Sequence, residues 1–328
     1  MRRIILFLVA GLLLGQTASD YKVQTRYPVA GEGRWDYITL DPQARRLYLS
    51  HGPQADVIDA DTGKPVGKVE GTPGIHGVAL AAKFKRGFTS NGAENMVSVF
   101  DSETLALIKK VPVGKGPDAI YYDEGSGRVF VTNHGSHDVT VIGAKTGDVA
   151  GVIDLKGDGE AMATGPDGMV YIPVEDTSEV ARVNPKTLEI TARFPIAGCQ
   201  TPTGFAMDNR THRIFIGCRS KVAAVMNSDT GKVIATLPIG TGVDAAAFDP
   251  KSKLAFFSNG EGNISVIRQK SADVYEAAGT IPTEQGAKTM AFDPKTGKLF
   301  LPTAEMEAVP GQRGRVKPGT FRVLVVGR

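Results

Sequence analysis

The sequence has little of what usually reveals a chemical site. It contains two cysteines, one tryptophan and five histidines, and its 38 basic and 35 acidic residues nearly balance. With so few cysteines there is no C-x-x-C-H motif for c-type haem attachment, and no cysteine stands near the N-terminus for a lipid anchor. The near-neutral charge gives no general reason to expect binding to nucleic acid or to an anionic membrane.

The motifs of common enzyme classes are missing as well. The sequence has no H-E-x-x-H, no G-x-S-x-G and no Walker phosphate loop. The glycine-rich run Gly157-Asp158-Gly159 is interpreted as a connection between repeats and not as a phosphate cradle. The sequence motifs therefore do not indicate a particular reaction.

Long hydrophobic runs are confined to the N-terminus. Arg2 and Arg3 precede an apolar run over residues 4–14, which is too short to span a bilayer, and small residues follow at Thr17-Ala18-Ser19. We interpret residues 1–19 as a signal peptide and expect a periplasmic or secreted protein with no membrane span after cleavage. An uncleaved membrane tether is the alternative. Residues 20–328 are expected to form a single domain.

What the sequence does contain is a repeat. An aromatic residue within a β-rich run recurs roughly every 40 residues, which is the period of solenoids, propellers and similar arrays. The seven markers are Tyr48, Phe88, Phe130, Tyr171, Phe215, Phe256 and Phe300. In the third copy the strands are predicted at Ala119–Tyr122, Arg128–Thr132, Asp138–Ile142 and Val149–Leu155. Four antiparallel strands per repeat predict an all-β, seven-bladed β-propeller, and the apolar spacing of helical repeats is missing.

One stretch of the third repeat carries a family resemblance. Val131-Thr132-Asn133 followed by Val139-Thr140-Val141-Ile142 resembles the YVTN-repeat β-propeller family, also called YncE-like, and Ser90-Asn91 and Ser258-Asn259 are looser versions. The resemblance covers nearly the whole mature chain and implies the propeller fold. It implies no particular activity, because members of that family do different things.

The two ends of the chain complement each other. Tyr21–Val29 has the pattern of a strand but belongs to no repeat, whereas the last repeat supplies only Thr289–Phe292, Leu299–Pro302 and Phe321–Val326. We predict that the N-terminal strand completes the last blade, because an open ring would leave apolar strand edges exposed.

The last repeat also contains a long insert, residues 304–320. It carries Arg313, Arg315 and Lys317. A loop of this length in a compact fold is usually functional or disordered, and we interpret it as a flap over a neighbouring pocket. Its basic residues leave nucleic-acid binding open as one function.

A column of polar residues marks the start of the first strand in every repeat. Because the first strands of a propeller line its central channel, these side chains are expected to form a ring at one mouth of the channel. Its members are Asp36, His76, Asp118, Glu160, Thr203, Asp244 and Lys288. The alternative is a channel in which polar side chains simply meet water.

The histidines point to the same mouth. His51, His134 and His137 follow second strands, which end on that face, whereas His212 belongs to the opposite face. We expect His134 and Glu175 to border the ligand site. Imidazole and carboxylate together suit a divalent transition metal, for which His51, His76 and Asp118 are the candidate ligands. They also suit acid–base work, for which the candidates are His76, His51 and Glu160.

Two features beside the ring allow two interpretations each. Cys199 and Cys218 fall in the fifth repeat and are expected to form a disulfide in an oxidising compartment, with a Cys–His copper site as the alternative. Trp35 is interpreted as a cap on the first blade, with stacking on a ligand as the alternative.

Three functions follow from this organisation. The first is an exported, monomeric binding protein whose ligand at the ring face is a small molecule, a metal ion or another protein. The second is a metal-assisted lyase or hydrolase on the same face, with Asp36, Asp118 and Glu160 holding the ion. The third is nucleic-acid binding, for which the sequence lacks the repeated pattern of aromatic and basic residues that such a surface needs.

Overall fold

The computed structural model describes residues 18–308 and 314–328. Seven four-stranded antiparallel sheets and one two-stranded hairpin account for the strands in this part of the chain. The sheets are the blades of a propeller, which confirms the predicted all-β, seven-bladed fold. Residues 1–17 of the predicted signal peptide lie outside the described residues, and Ala18–Asp20 form a 3-10 turn.

The first strand, β1 (Lys22–Pro28), belongs to the last blade. The strands after it form blades 1 to 6 in sequence order and then the rest of blade 7. Blade 1 has β2 (Trp35–Asp41), β3 (Arg46–His51), β4 (Gln54–Asp59) and β5 (Pro65–Val69). Blade 2 has β6 (Ile75–Ala81), β7 (Arg86–Asn91), β8 (Met96–Asp101) and β9 (Leu107–Pro112), with a 3-10 turn at Ala82–Phe84. Blade 3 has β10 (Pro117–Asp123), β11 (Arg128–Asn133), β12 (Asp138–Gly143) and β13 (Val149–Asp154).

The remaining blades follow the same order. Blade 4 has β14 (Ala163–Thr164), β15 (Val170–Val174), β16 (Glu179–Val183) and β17 (Ile190–Pro195). Blade 5 has β18 (Pro202–Asp208), β19 (Arg213–Cys218), β20 (Val222–Asn227) and β21 (Val233–Pro238). Blade 6 has β22 (Val243–Asp249), β23 (Leu254–Asn259), β24 (Asn263–Ser271) and β25 (Val274–Pro282). Blade 7 begins with β26 (Ala291–Phe292) and β27 (Leu299–Thr303).

The core lies between neighbouring blades. The second and third strands of each blade are largely buried, whereas the fourth strand is more exposed, as β7 and β9 illustrate. All seven aromatic markers of the repeat are 0% exposed. One apolar cluster joins Ile264 of blade 6 to Leu301 of blade 7, so each blade is stabilised by burial against the next.

The ring closes through the two ends of the chain, as predicted. Between β27 and the C-terminus stand the hairpin strands β28 (Met306–Glu307) and β29 (Arg315–Val316) and then β30 (Arg322–Gly327). Sheet order in blade 7 is β26-β27-β30-β1, and β1 pairs antiparallel with β30, with Tyr27 opposite Val323. Tyr27 and Val29 are buried, and Val23 is partly buried.

A turn of blade 1 anchors the closing strand. The Tyr27 hydroxyl donates to the Asp61 carbonyl at 2.9 Å, and Gly63 has a φ of 72° in the same turn. A Cβ at Gly63 would lie 2.3 Å from the Tyr27 ring, so glycine is required both for the backbone conformation and for the approach of the ring.

The described part of the insert forms the β28–β29 hairpin, in which Met306 pairs with Val316. Arg313 lies outside the described residues. No helix in residues 18–308 and 314–328 has the length and apolar character needed to cross a bilayer.

Candidate functional site

The ring residues occupy a repeated irregularity of the first strands. Asp36, His76, Asp118, Thr203 and Asp244 are each the second residue of their strand. In each of these blades the pairing register with the second strand shifts at this point. A bulge of this kind bends a strand locally and redirects a side chain, and here it lies at the channel mouth.

Glu160 and Lys288 occupy the corresponding places in the two blades with short first strands. β14 and β26 are two residues long each, and Glu160 and Lys288 lie three residues before them, outside the strands. The ring position of blade 4 is held by a hydrogen bond from the Glu160 amide to the Pro173 carbonyl at 3.0 Å.

Two imidazoles flank the Asp118 carboxylate. His76 Nδ1 lies 2.8 Å from Asp36 Oδ2 and 3.3 Å from Asp118 Oδ1. His134 Nδ1 lies 3.5 Å from Asp118 Oδ2, and its Nε2–H donates to the Gly159 carbonyl at 2.9 Å. Asp118 therefore presents one oxygen to each histidine.

Tyr37 completes the other side of the cluster. Its hydroxyl donates to Glu160 Oε2 at 2.7 Å, and Glu160 is 5% exposed. Burial, and then the charge of Glu160, raises the pKa of the Tyr37 phenol well above its ordinary value, so this hydroxyl is a permanent donor. Tyr37 was not predicted as a site residue; its position directly after the ring residue Asp36 was the available signal.

Two cations balance the acidic residues on the far side of the mouth. Lys288 Nζ lies 3.3 Å from Asp36 Oδ1 and forms a second ion pair with Asp244. Arg219 lies 3.2 Å from Glu175 and 3.2 Å from Asp244. Arg219 also is not among the predicted site residues, although it directly follows Cys218 at the end of a second strand, the same kind of position that His134 occupies.

Burial dominates the acidity of the two central acids. Burial, followed by the charges of Asp118 and Asp244, raises the pKa of Glu160 well above its ordinary value. Burial also raises the pKa of Asp118, against the opposing charge of His76. These two carboxyl groups thus lack sufficient compensation for their negative charge among the described residues.

Ion pairing dominates the acidity of the groups beside them. Burial favours neutral Asp36, but the hydrogen bond with His76 and the charge of Lys288 outweigh burial and lower its pKa. Burial lowers the pKa of His76, but its hydrogen bond with Asp36 and the charge of Asp118 outweigh burial, so the pKa of His76 is raised. Burial of Lys288 is likewise outweighed, first by the charge of Asp244, and its pKa is raised.

Two of the proposed site residues, Thr203 and His51, have other partners. The Thr203 hydroxyl is buried and donates to the Val243 carbonyl at 2.8 Å, away from the acidic cluster. His51 is 1% exposed, with Nδ1 2.6 Å from Asp56 Oδ2 and its ring centroid 4.1 Å from that of Phe321. The structure therefore does not bring His51 to the other candidate ligands. Glu175 borders the cluster: it forms an ion pair with Arg219, and its charge adds to burial and to the charges of Asp118 and Asp244 in raising the pKa of Glu160.

Cys199 and Cys218 are joined by a disulfide at the same end of blade 5. Their Cα atoms are 5.5 Å apart, and both residues are buried. Among the described residues, neither cysteine belongs to a group of potential metal ligands. The next residue, Arg219, is held by a hydrogen bond from its amide to the Thr201 carbonyl at 3.0 Å.

A groove of about 580 Å³ opens beside the cluster. It is bordered by Asp36, His76 and Lys288 and, on its outer side, by Trp35 and Met306 of the insert. Trp35 packs against Phe321, with ring centroids 5.9 Å apart, while it lines this groove. The insert thus contributes one wall of the groove next to the ring.

The two basic residues in the described part of the insert are paired with acids of the same segment. Arg315 lies 2.8 Å from Glu307, and Lys317 lies 2.9 Å from Glu305. The described part of the insert therefore presents alternating charge and not a basic surface.

Two overlapping groups of side chains bring potential metal-ligand atoms close together. The donor atoms of Asp36, His76 and Asp118 lie within 4.8 Å of one another, and so do those of Asp118, His134 and Glu160. Both sets combine imidazole nitrogen with carboxylate oxygen, the combination that suits divalent zinc, copper, iron or manganese.

Comparison with known proteins identifies only the architecture. No family model matches the chain, and no curated protein matches it. A structure of Kuenenia stuttgartiensis hydrazine synthase is similar at 16% identity and a TM-score of 0.72, over 83% of this chain and 94% of that chain. A structure of U3-55K is 9% identical with a TM-score of 0.77, over 94% and 99% of the two chains. The RRP9 WD40 repeats are 8% identical with a TM-score of 0.78, over 95% and 99%.

The chain is a seven-bladed β-propeller. At these identities the similarity shows the fold alone and carries no activity. A propeller of this kind is consistent with a binding scaffold, and the resemblance to the YVTN-repeat family stays a prediction from sequence.

Proposed function

We propose that this protein is an exported binding propeller that holds a divalent transition-metal ion at its channel mouth. The observation that carries the proposal is the convergence of Asp36, His76 and Asp118, whose donor atoms lie within 4.8 Å of one another. These residues come from the first strands of three consecutive blades, which lie side by side around the central channel.

The donor types favour a transition metal over calcium. Calcium takes oxygen ligands, whereas His76 and His134 contribute nitrogen, which zinc, copper, manganese and iron accept. Burial and neighbouring negative charge raise the pKa values of Asp118 and Glu160, and a bound cation would offset both effects.

Calorimetric titration of the untagged protein with Zn²⁺ or Mn²⁺ tests the proposal. The parent is expected to bind the ion, and the double variant His76→Ala/Asp118→Asn is expected to lose that binding. His212→Ala is the matched control, because His212 forms a similar pair with Asp229 at 2.9 Å on the opposite face. A parent that binds no divalent ion, or a double variant that binds equally well, would refute the metal site.

A metal-assisted hydrolase or lyase is the second candidate. The groove of about 580 Å³ beside Asp36 and His76 favours it, because a bound ion there would face a space that can take a small molecule. A panel of ester and phosphoester substrates, assayed with metal-loaded parent and with the double variant, separates catalysis from binding. Turnover that survives in the double variant would exclude the ion from the reaction.

A further inference from the structure

We propose that the channel mouth holds two metal ions and that Asp118 bridges them. This inference rests on the proposed metal-binding function and adds the number and arrangement of the ions. It is motivated by the fact that the two donor sets share a single residue, and that this residue is a carboxylate with two oxygens.

The two halves of the cluster have matching composition. One half contains a terminal carboxylate, Asp36, and an imidazole, His76, which faces Asp118 Oδ1 at 3.3 Å. The other contains a terminal carboxylate, Glu160, and an imidazole, His134, which faces Asp118 Oδ2 at 3.5 Å. Each half therefore offers one imidazole, one terminal carboxylate and one oxygen of the shared residue.

The hydrogen bonding of His134 leaves its other nitrogen available. The Gly159 carbonyl can only accept, so Nε2 of His134 carries the proton of this 2.9 Å hydrogen bond. In the neutral imidazole the lone pair is then on Nδ1, which faces Asp118. A backbone carbonyl that orients the ring in this way is the usual outer partner of a metal-ligating histidine.

The Asp118 carboxylate lacks the partners that a buried charge needs. Its Oδ1 is buried and accepts no hydrogen bond from any described residue. The distances of 3.3 and 3.5 Å to the two imidazoles exceed the ordinary range of about 2.7–3.2 Å for such bonds. A neutral His134 nitrogen and a carboxylate oxygen also repel each other, and a cation between them removes that repulsion.

Each terminal carboxylate is positioned by an outer donor. Lys288 holds Asp36 Oδ1 at 3.3 Å and leaves Oδ2 on the side of His76. Tyr37 holds Glu160 Oε2 at 2.7 Å. In both halves an outer donor thus holds the terminal carboxylate, and that carboxylate offers a ligand atom within 4.8 Å of one on the shared Asp118.

Metal stoichiometry and magnetic coupling test the inference. We expect two Mn²⁺ per chain by native mass spectrometry and an exchange-coupled signal by electron paramagnetic resonance, since bridged ions lie on the order of 4 Å apart. His134→Ala and His76→Ala should each retain one ion, with the spectrum of an isolated Mn²⁺. Asp118→Asn should abolish the coupling. His212→Ala should behave like the parent, and thermal melts establish that each variant is folded.

The outcomes separate this inference from the proposed function. One ion per chain with no coupling would overturn the bridged pair and leave single-metal binding standing. Two ions without coupling would overturn the bridging role of Asp118. No bound ion would refute both proposals. If His134→Ala does not fold, His134→Gln, which keeps a side-chain donor for the Gly159 carbonyl, replaces it.

Discussion

At the scale of single residues, buried and incompletely paired acids at the channel mouth lower the free energy of unfolding of the metal-free protein. Glu160 is 5% exposed, and apart from the Tyr37 hydroxyl its neighbours include the like charges of Asp118 and Asp244. Burial of ionised acids without adequate pairing is costly, and such arrangements are typical of sites that bind a cation or perform chemistry.

Replacing Glu160 should therefore stabilise the metal-free protein at neutral and alkaline pH. Its folded-state pKa is raised, so the folded state retains a proton that the unfolded state has lost, and stability falls as pH rises from the unfolded pKa through the folded pKa. We expect Glu160→Gln to raise the melting temperature at pH 8 by about 2–4 °C, the effect of ~1 kcal/mol in a large domain. At pH 4 the gain should shrink.

The comparison is a series of thermal melts from pH 4 to pH 8 in the presence of a chelator. Glu124→Gln, at an exposed glutamate, is the control and should show no such trend. A lower melting temperature of Glu160→Gln at pH 8 would contradict the argument.

The disulfide of blade 5 is a second prediction at this scale. Cys199 and Cys218 are 19 residues apart, and a loop of that size predicts a contribution of about 3 kcal/mol to the free energy of unfolding. Cys199→Ser/Cys218→Ser should lower the melting temperature accordingly. Thiol titration of the unfolded, unreduced protein should find no free thiol, and two free thiols would refute the bridge.

At the scale of elements, the closing strand β1 holds the ring together. It pairs with β30 over its length, and Tyr27 packs into the core between blades 1 and 7. Burial of apolar surface at about 25 cal/mol per Å² makes such a strand worth several kcal/mol. Deleting residues 20–30 should lower the melting temperature sharply or leave the protein insoluble, and a truncated protein that melts like the parent would exclude this role.

An ion-pair network joins the closing strand to its neighbours and gives it a pH dependence. Arg26 of β1 lies 2.7 Å from Glu284, which also pairs with Arg322 of β30 at the same loop. Burial of Glu284 is outweighed by the hydrogen bonds from Arg26 and Arg322, and its pKa is lowered. Its contribution is therefore present above the unfolded pKa and is lost as pH falls through the folded pKa.

Glu284→Gln should accordingly destabilise the protein at pH 7 and make little difference near pH 3. Melting curves of parent and variant across this range measure the difference, with Glu276→Gln on β25 as a control in a more exposed pair. If the difference in melting temperature between the parent and Glu284→Gln stayed constant down to pH 3, the charge of Glu284 would not be its cause.

At the scale of the whole molecule, export is the prediction that remains to be tested. The basic residues and the apolar run before residue 15 predict a cleaved signal peptide. When the full chain is expressed in a Gram-negative host, we expect it in the periplasmic fraction. Its measured mass should match a chain that starts near residue 20. A product that retains residues 1–19 and sediments with membranes would favour the uncleaved tether.

The sequence by itself determined the architecture. The recurrence of markers such as Phe88, Phe130 and Phe256 roughly every 40 residues predicted seven blades, and every marker proved to be buried. The unpaired strand at one end and the incomplete repeat at the other predicted the closed ring. These features can be predicted from sequence because strand patterning and repeat period are local properties. Ring closure follows from counting the strands of the last repeat and the extra strand at the N-terminus.

Only the tertiary structure decided which polar side chains meet. The sequence places Thr203 in the ring of polar residues and His51 at its border, but Thr203 bonds to a backbone carbonyl and His51 packs on Phe321. Tyr37 and Arg219 joined the cluster instead. The physical reason is that residues from neighbouring repeats are brought together by the bulges in the first strands and by the angles between blades. The spacing of residues within a repeat encodes neither the bulges nor these angles.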